Sequence, residues 1–432
     1  MQSSRNGTEP TQRAAQRAFC IAALPDGEDL AELGELLRTA GVATVGELIQ
    51  RREQPHPNTY LGPGKVVEAK AAAAVCDANL IACDDELSAR QERNLEEALG
   101  LPVVDRTTVI LDIFASHANS AEGKLQVELA QLEYNLARMR GLWTHLERLG
   151  GGIGTRGPGE TQIETDRRLA RDRIAALRRR LEHVKGTRAV QRAERERAAL
   201  PTIALVGYTN AGKSTLLNAL TGSEVGVRDR LFHTLDPTTR TLKLGGRTHL
   251  LTDTVGFISK LPHQLVDAFG ATLEETVRAE LLAHVLDASA PEAQQEIMQR
   301  SVEATLEEIG AGERPRLLVL NKIDLLDDDA REELRYRHPE AVLVSGGAPH
   351  PKGVVGEGLE ELRERLEQEL AHTLRPLDLL VPYADGGSLA ELHELAGEVS
   401  REDTAEGVRV RALVPARLAQ RFARFAVAPQ RA

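Results

Sequence analysis

The chain has 432 residues and a formal net charge of −11; 41% are hydrophobic, 28% charged and only 3% aromatic. At one domain per ~150 residues about three domains are expected, and the few rings argue against modules that stack nucleic-acid bases. Three cysteines and no apolar run of roughly 18 residues exclude a disulfide scaffold and a membrane-spanning helix, which predicts a soluble cytoplasmic protein.

Residues 1–15 are polar, with no apolar core of a secretory signal behind them, and read as a disordered N-terminus. Residues 16–115 alternate short apolar runs with helical ones. Phe19–Leu24, Leu80–Cys83 and Leu101–Val104 read as strands. Asp29–Ala40 reads as a helix with Asp29 near its cap and Gly41 at its end, and Ser88–Leu99 as a helix ending at Gly100. This predicts a small α/β domain. Within it, Leu61-Gly62-Pro63-Gly64-Lys65 is too short for a phosphate cradle and reads as a tight turn.

Residues 116–199 carry 17 basic and 11 acidic side chains, a net of +6 inside an acidic chain. Such an insert suits a polyanion, or a solvated helix surface. Leu125, Leu129, Leu132, Leu136, Met139, Trp143 and Leu146 follow at steps of 4 and 3, as do Ala170, Ile174, Leu177, Leu181 and Val184. Two heptad stripes predict an antiparallel helical hairpin. Its joining loop, Gly150 to Glu160, has six glycines in eleven residues, flanked by Arg148 and Arg156. No packed core needs that; it reads as an exposed tip where backbone amides approach a ligand.

Residues 200–374 supply strand candidates Thr202–Val206, Thr241–Leu244, Thr248–Thr252, Leu281–Leu286, Arg316–Leu320 and Ala341–Val344, with helical stretches filling most gaps. Gly245-Gly246 joins the second and third as a hairpin. One hairpin plus βαβ units predicts a mostly parallel sheet with one antiparallel strand and helices on both faces. Residues 375–432 read as a small α+β tail, with a strand in PLDLLVPY, a helix at Ser388–Ser400 and a strand at Val408–Val414.

The chemistry is concentrated in the fourth region. After the first strand comes Gly207-Tyr208-Thr209-Asn210-Ala211-Gly212-Lys213-Ser214-Thr215, a GxxxxGK[ST] phosphate loop opening a helix. Its amides and helix dipole suit a β-phosphate, Lys213 suits the β- and γ-phosphates, and Ser214 suits Mg²⁺. The chain has only nine lysines among its 54 basic residues, so a lysine inside a motif carries weight. Asn321-Lys322-Ile323-Asp324 closes a strand, and the Asp324 carboxylate can accept both the N1–H and the exocyclic amine of guanine. Adenine offers neither donor there, and a carboxylate buried unpaired is costly. Lys322 can lie over the base, Asn321 can tie the loops together, and Ser345-Gly346 suits the loop backing the guanine. Asp253-Thr254-Val255-Gly256 closes another strand: Asp253 would hold the metal through water, and the Gly256 amide would sense the γ-phosphate. Between the phosphate loop and Asp253, Phe232-His233-Thr234-Leu235-Asp236-Pro237-Thr238-Thr239-Arg240 sits where a switch loop belongs. Thr234 and Thr238 both offer a hydroxyl to the metal. Position 257 is Phe where many GTPases place a water-orienting Gln, so unaided turnover should be slow. The Asn210 carbonyl suits K⁺ that would supply charge, or else local loop hydrogen bonds.

These motifs closely resemble the HflX family of ribosome-associated GTPases. The carriers are YLGPGKVVE (60–68), LQVELAQLEYNLARMRG (125–141), GGGIGTRGPGETQIETDRR (150–168), GYTNAGKST (207–215), FHTLDPTTR (232–240), DTVGFI (253–258), LPHQLVDAFGATLEE (261–275) and NKID (321–324). The resemblance implies a monomeric GTPase with GTP/GDP and Mg²⁺ as ligands. It implies binding to the large ribosomal subunit, splitting or rescue of stalled ribosomes, and hydrolysis stimulated by ribosome contact; Lys213, Thr234 and Gly256 are the residues expected to carry that hydrolysis. It also selects Thr234 over Thr238 as the metal ligand, and raises ATP use by the N-terminal domain, as reported for some members. A GTPase serving RNA modification or another RNA–protein assembly is the competing function; nothing in the chain indicates membrane association.

Overall fold

The computed structural model describes residues 16–25, 29–139, 158–198, 200–223, 231–232, 236–260, 270–347, 356–371, 374–396, 399–416 and 418–427. Residues 1–15, Trp143, Leu146, Arg148, Arg156 and most of the glycine-rich loop lie outside them. Two compact units emerge, one drawn from Met1–Ser116 and Val127–Leu177, the other from His117–Gln126 and Arg178–Ala432.

The first unit is built on a four-stranded parallel sheet. Its strands β1 (Arg17–Leu24), β2 (Ala43–Arg51), β3 (Leu80–Cys83) and β4 (Val103–Asp105) are ordered β2-β1-β3-β4. The inner strands β1 and β3 are near-continuous buried apolar runs, as a sheet covered on both faces demands. Helix α1 is Ala31–Thr39, α2 is Pro63–Val75, α3 is Ala89–Leu99 and α4 is Arg106–His117. Ile21, Ile81 and Val103 form a core with Val66 and Ala69 of α2 and Leu95 of α3. Ser88 and Gln91 close a capping box on α3, and Gly100 ends it at a φ of 75°.

Three elements of this unit escaped the sequence reading: β2, α2 and α4. Strand β2 is an edge strand whose Thr44, Glu47 and Gln50 hide its pairing with β1. The expected turn at Leu61–Lys65 instead opens helix α2, with Gly62 as its cap and Pro63 in the first turn, where proline lacks only an amide hydrogen the helix cannot use.

Helix α5 (Ala121–Met139) buries Leu125 and Leu129 of the first stripe, while Leu132 and Leu136 are half-buried. Helix α6 runs from Pro158 to Ala198, starting inside the expected loop, and buries Ala170, Ile174, Leu177 and Leu181. Arg173 on α6 pairs with Glu128 on α5 at 2.6 Å.

In the second unit a six-stranded sheet comprises β5 (Thr202–Gly207), β6 (Thr238–Leu244), β7 (Arg247–Asp253), β8 (Leu281–Asp287), β9 (Arg316–Asn321) and β10 (Val342–Leu343). Its order is β10-β9-β8-β5-β7-β6, parallel except for β6 against β7. All six strands lie where the sequence placed them, within a few residues. Gly245 and Gly246 turn the hairpin with φ of 52° and 76°, as a two-residue turn of this twist requires. The helices are α7 (Lys213–Thr221), α8 (Gly270–Arg278), α9 (Glu292–Glu308), α10 (Asp328–Arg337) and α11 (Leu359–Ala371). Leu216 of α7 and Leu362 and Leu366 of α11 share a core with Ile203, Leu205, Leu251 and Val285 of the sheet.

Beyond it, β11 (Leu374–Val381), β12 (Val399–Asp403) and β13 (Val408–Pro415) form an antiparallel sheet ordered β11-β13-β12, with α12 (Gly386–Ala396) packed on it. The helix expected to reach Ser400 stops at Ala396 because Val399–Asp403 pairs with β13. Arg247 of β7 donates to the Ala396 carbonyl at 2.8 Å.

Candidate functional site

Five parallel strands deliver their carboxyl ends to one edge of the six-stranded sheet. These ends carry Gly207, Asp253, Asp287, Asn321 and, just after β10, Ser345. Ligands of open α/β sheets bind at this edge because the loops there are free to vary while the strands fix their roots.

The phosphate loop turns from β5 into α7. Gly212 caps α7 at a φ of 89°, and a Cβ there would lie 2.2 Å from the Asn321 amide nitrogen. Tyr208, Thr209 and Ala211 are buried, and Thr215 is half-buried. Asn210 is exposed, in a left-handed conformation at a φ of 59°. Lys213 is buried and donates to the carbonyls of Gly207 at 3.1 Å and Tyr208 at 2.8 Å. Burial pulls its ammonium down to about 8, against the Asp253 carboxylate, which favours the charge.

Asp253 ends β7 fully buried, and the Ser214 hydroxyl donates to its Oδ2 at 2.5 Å. A hydroxyl and a carboxylate side by side form the hard-oxygen donor set that suits Mg²⁺. The following residues run along the phosphate loop. Phe257 N–H donates to Gly207 O at 3.1 Å, Thr209 N–H to Phe257 O at 2.7 Å, and Ser259 N–H to the Tyr208 hydroxyl at 2.7 Å. Thr254 anchors the stretch through its hydroxyl to Leu205 O at 2.6 Å, and Val255 is buried beside it. A Cβ on Gly256 would meet Thr209 at 2.9 Å and Lys213 Nζ at 3.1 Å, so this residue borders the phosphate lysine. The Phe257 ring is 1% exposed and has no polar atom for a water.

At the base-reading side, Asn321 donates to Ala211 O at 2.8 Å and accepts from Gly346 N–H at 3.1 Å, joining two loops through one buried amide. Ile323 N–H reaches Val344 O. Ser345 donates to Asp324 Oδ1 at 2.7 Å. Lys322 has a φ of 66° and pairs with Asp287 Oδ2 at 2.6 Å. Asp287, which the sequence reading missed, is itself held by Ser289 through Oδ1. Its signal was present: it is the last residue of β8, where the other strands also place polar site residues.

Of the switch segment, Phe232 is buried and Asp236 half-buried, while His233, Thr234 and Leu235 lie outside the described residues. Thr238 opens β6, paired with Asp253. Asp236, expected at the nucleotide, accepts hydrogen bonds from Asn119 and Ser120 at the start of α5.

A phosphate loop, a carboxylate-bearing base loop and a buried metal-type donor pair on one sheet edge define a P-loop GTPase. Comparison with known proteins gives the closer assignment. Residues 27–115 match the family described as GTP-binding GTPase N-terminal, residues 117–195 the GTP-binding GTPase Middle Region, and residues 202–322 the 50S ribosome-binding GTPase. GTPase HflX of Caldanaerobacter subterraneus subsp. tengcongensis is 46% identical over 424 residues, 97% of this chain and 96% of that protein. GTPase HflX of Escherichia coli is 47% identical over 399 residues, 89% and 90% of the two chains. A GTP-binding protein from Sulfolobus solfataricus, solved with GDP, aligns over 83% of this chain and 99% of its own at 27% identity and a TM-score of 0.41. The chain belongs to the HflX family of GTPases. Among the described residues no helix is long and apolar enough to cross a membrane.

Proposed function

We propose that this GTPase acts on the large ribosomal subunit, splitting or rescuing stalled ribosomes as a cytoplasmic monomer, with hydrolysis accelerated by that contact. The observation that carries the reading is the match of residues 202–322 to a 50S ribosome-binding GTPase. The basic helix α6 supports it, since Arg168, Arg171, Arg179 and Arg180 are exposed on it and such a surface attracts a polyanion.

At the nucleotide, Lys213 and the loop amides would hold the β- and γ-phosphates, and Asp324 with Lys322 would hold the guanine. Ser214, Thr234 and, through water, Asp253 would hold Mg²⁺. The metal, when bound, neutralises charge across the β- and γ-phosphates. Gly256 borders Lys213 and can report the γ-phosphate through its amide. Asn210 stands exposed on the loop, where its carbonyl could hold K⁺. Phe257 leaves the attacking water unoriented, so the ribosome would complete the site.

Co-sedimentation with purified ribosomal subunits under a non-hydrolysable GTP analogue tests the reading. Pelleting with the large subunit, lost at high salt, is expected, with GTPase activity rising on the same subunit. Absence of pelleting with intact GTP binding would favour a GTPase serving another RNA–protein assembly.

A further inference from the structure

Thr209 is a side chain of the phosphate loop at 5% exposure, and its hydroxyl has no hydrogen-bond partner. Interior hydroxyls are nearly always paired, because one left unpaired gives up its bonds to water and receives none in return. Other hydroxyls of the site obey this: Ser214 donates to Asp253, Thr254 to Leu205 O and Ser345 to Asp324. A valine has nearly the shape of threonine and would fill the same place without that cost. The Thr209 hydroxyl therefore calls for a partner that arrives with the nucleotide.

Its neighbours say which part of the nucleotide. Thr209 N–H donates to Phe257 O at 2.7 Å and Phe257 N–H to Gly207 O at 3.1 Å, so the residues after Asp253 lie directly against position 209. A Cβ on Gly256 would lie 2.9 Å from both Cα and Cγ2 of Thr209, and 3.1 Å from Lys213 Nζ. Thr209, Gly256 and the lysine ammonium thus converge. The lysine and the Gly256 amide are the two groups read as reaching the γ-phosphate, and the Phe257 ring brings no polar atom to that end. In so enclosed a place, a hydrogen bond to a charged oxygen is stronger than in water.

We infer that the Thr209 hydroxyl donates to a γ-phosphate oxygen of GTP and so distinguishes GTP from GDP. The inference rests on the proposed placement of the γ-phosphate beside Lys213 and the Gly256 amide. A hydroxyl turns about a single bond to meet its acceptor, so it needs no movement of the loop. GDP has no oxygen there, and the whole worth of the bond goes to the triphosphate.

The test is calorimetry on the full chain with GDP and a non-hydrolysable GTP analogue. In Thr209→Val the preference for the analogue over GDP should fall by about tenfold, the worth of a hydrogen bond to a charged group, with GDP affinity within about twofold of wild type. Thr209→Ser, which keeps the hydroxyl, should hold the wild-type preference. Where the valine variant folds poorly, Thr209→Ala replaces it, since alanine and serine differ by the hydroxyl alone. Equal preference with and without the hydroxyl would overturn the inference, as would an equal loss of both nucleotides. Gly256→Ala separates this from the reading beneath it, because a Cβ there should also lower the preference. If Gly256→Ala leaves the preference intact, the γ-phosphate lies elsewhere and both readings fall. If it lowers the preference while the Thr209 variants stay level, only the role of the hydroxyl falls.

Discussion

The Ser345 hydroxyl donates to Asp324 Oδ1 at 2.7 Å, so the base-reading carboxylate is aimed by a side chain from the neighbouring strand end. The loop bearing Ser345 is in turn fixed by Asn321, through Gly346. A carboxylate held this way offers two acceptors to the two N–H groups of guanine. Asp324→Asn replaces one acceptor with a donor and should cost guanine nucleotides about a hundredfold in affinity, while xanthine nucleotides, with a carbonyl at that edge, gain. Ser345→Ala should weaken GDP only a fewfold, because it loosens the carboxylate without removing it. Calorimetry with GDP, XDP and ADP decides; equal affinity for GDP and ADP in the wild type would refute this account of base choice.

Lys213 gives the site a pH dependence whose sign follows from its burial. The ammonium titrates near about 8 where it donates to Gly207 and Tyr208, and a bound polyphosphate would raise that value. Below that pH the lysine is already charged and binding needs no proton. Above it, binding must take up a proton, so GTP and GDP affinity should fall by up to tenfold per pH unit. Calorimetry in buffers of different ionisation enthalpy should show proton uptake at pH 9 and little at pH 7. Lys213→Arg, charged throughout, should abolish the uptake.

Five strands of the nucleotide-binding sheet were legible as apolar runs bounded by turn residues or by a motif of known geometry, and the sixth, the largely unburied β6, through the glycine pair that turns it into β7. Asn321, Lys213 and Asp253 were legible for the same reason. The strands that were missed are those whose structure is set by partners distant in sequence. Strand β12 exposes most of its residues and exists through pairing with β13, and β2 exists through pairing with β1. Asp287 carries no motif of its own and gains meaning only when β8 lines up beside β9 and sets it against Lys322. Likewise the attachment of Asp236 to Ser120 spans 116 residues, beyond any local pattern.

In the N-terminal unit, Arg106 is 2% exposed and bridges Asp84 and Glu32, each at 2.8 Å. Removing a partner from a buried ion pair costs about 3–5 kcal/mol, because the remaining charge stays desolvated. Arg106→Met should therefore destabilise the chain strongly, and the double change with Asp84→Leu should recover much of the loss. Denaturant melts followed by circular dichroism measure both. A single variant as stable as the wild type would show that water reaches Asp84.

His284 and His249 predict how acid unfolds the nucleotide-binding sheet. Both are nearly fully buried, at 4% and 3% exposure, on β8 and β7. Burial holds each down to about 4; the cations of Arg316 and Lys213 add to the effect at His284, and that of Arg247 at His249. In the unfolded chain they titrate near about 6.5, so between 6.5 and 4 the unfolded state binds more protons. Stability is therefore fully present above pH 6.5 and is lost as pH falls toward 4, by up to about 3 kcal/mol per histidine. Carboxylates also contribute to acid unfolding, but at lower pH. His284→Leu keeps the buried volume near constant and removes one titrating group. Its melting temperature should depend less on pH across this window than that of the wild type; parallel curves would show that His284 takes up protons equally in both states and carries no part of the acid sensitivity.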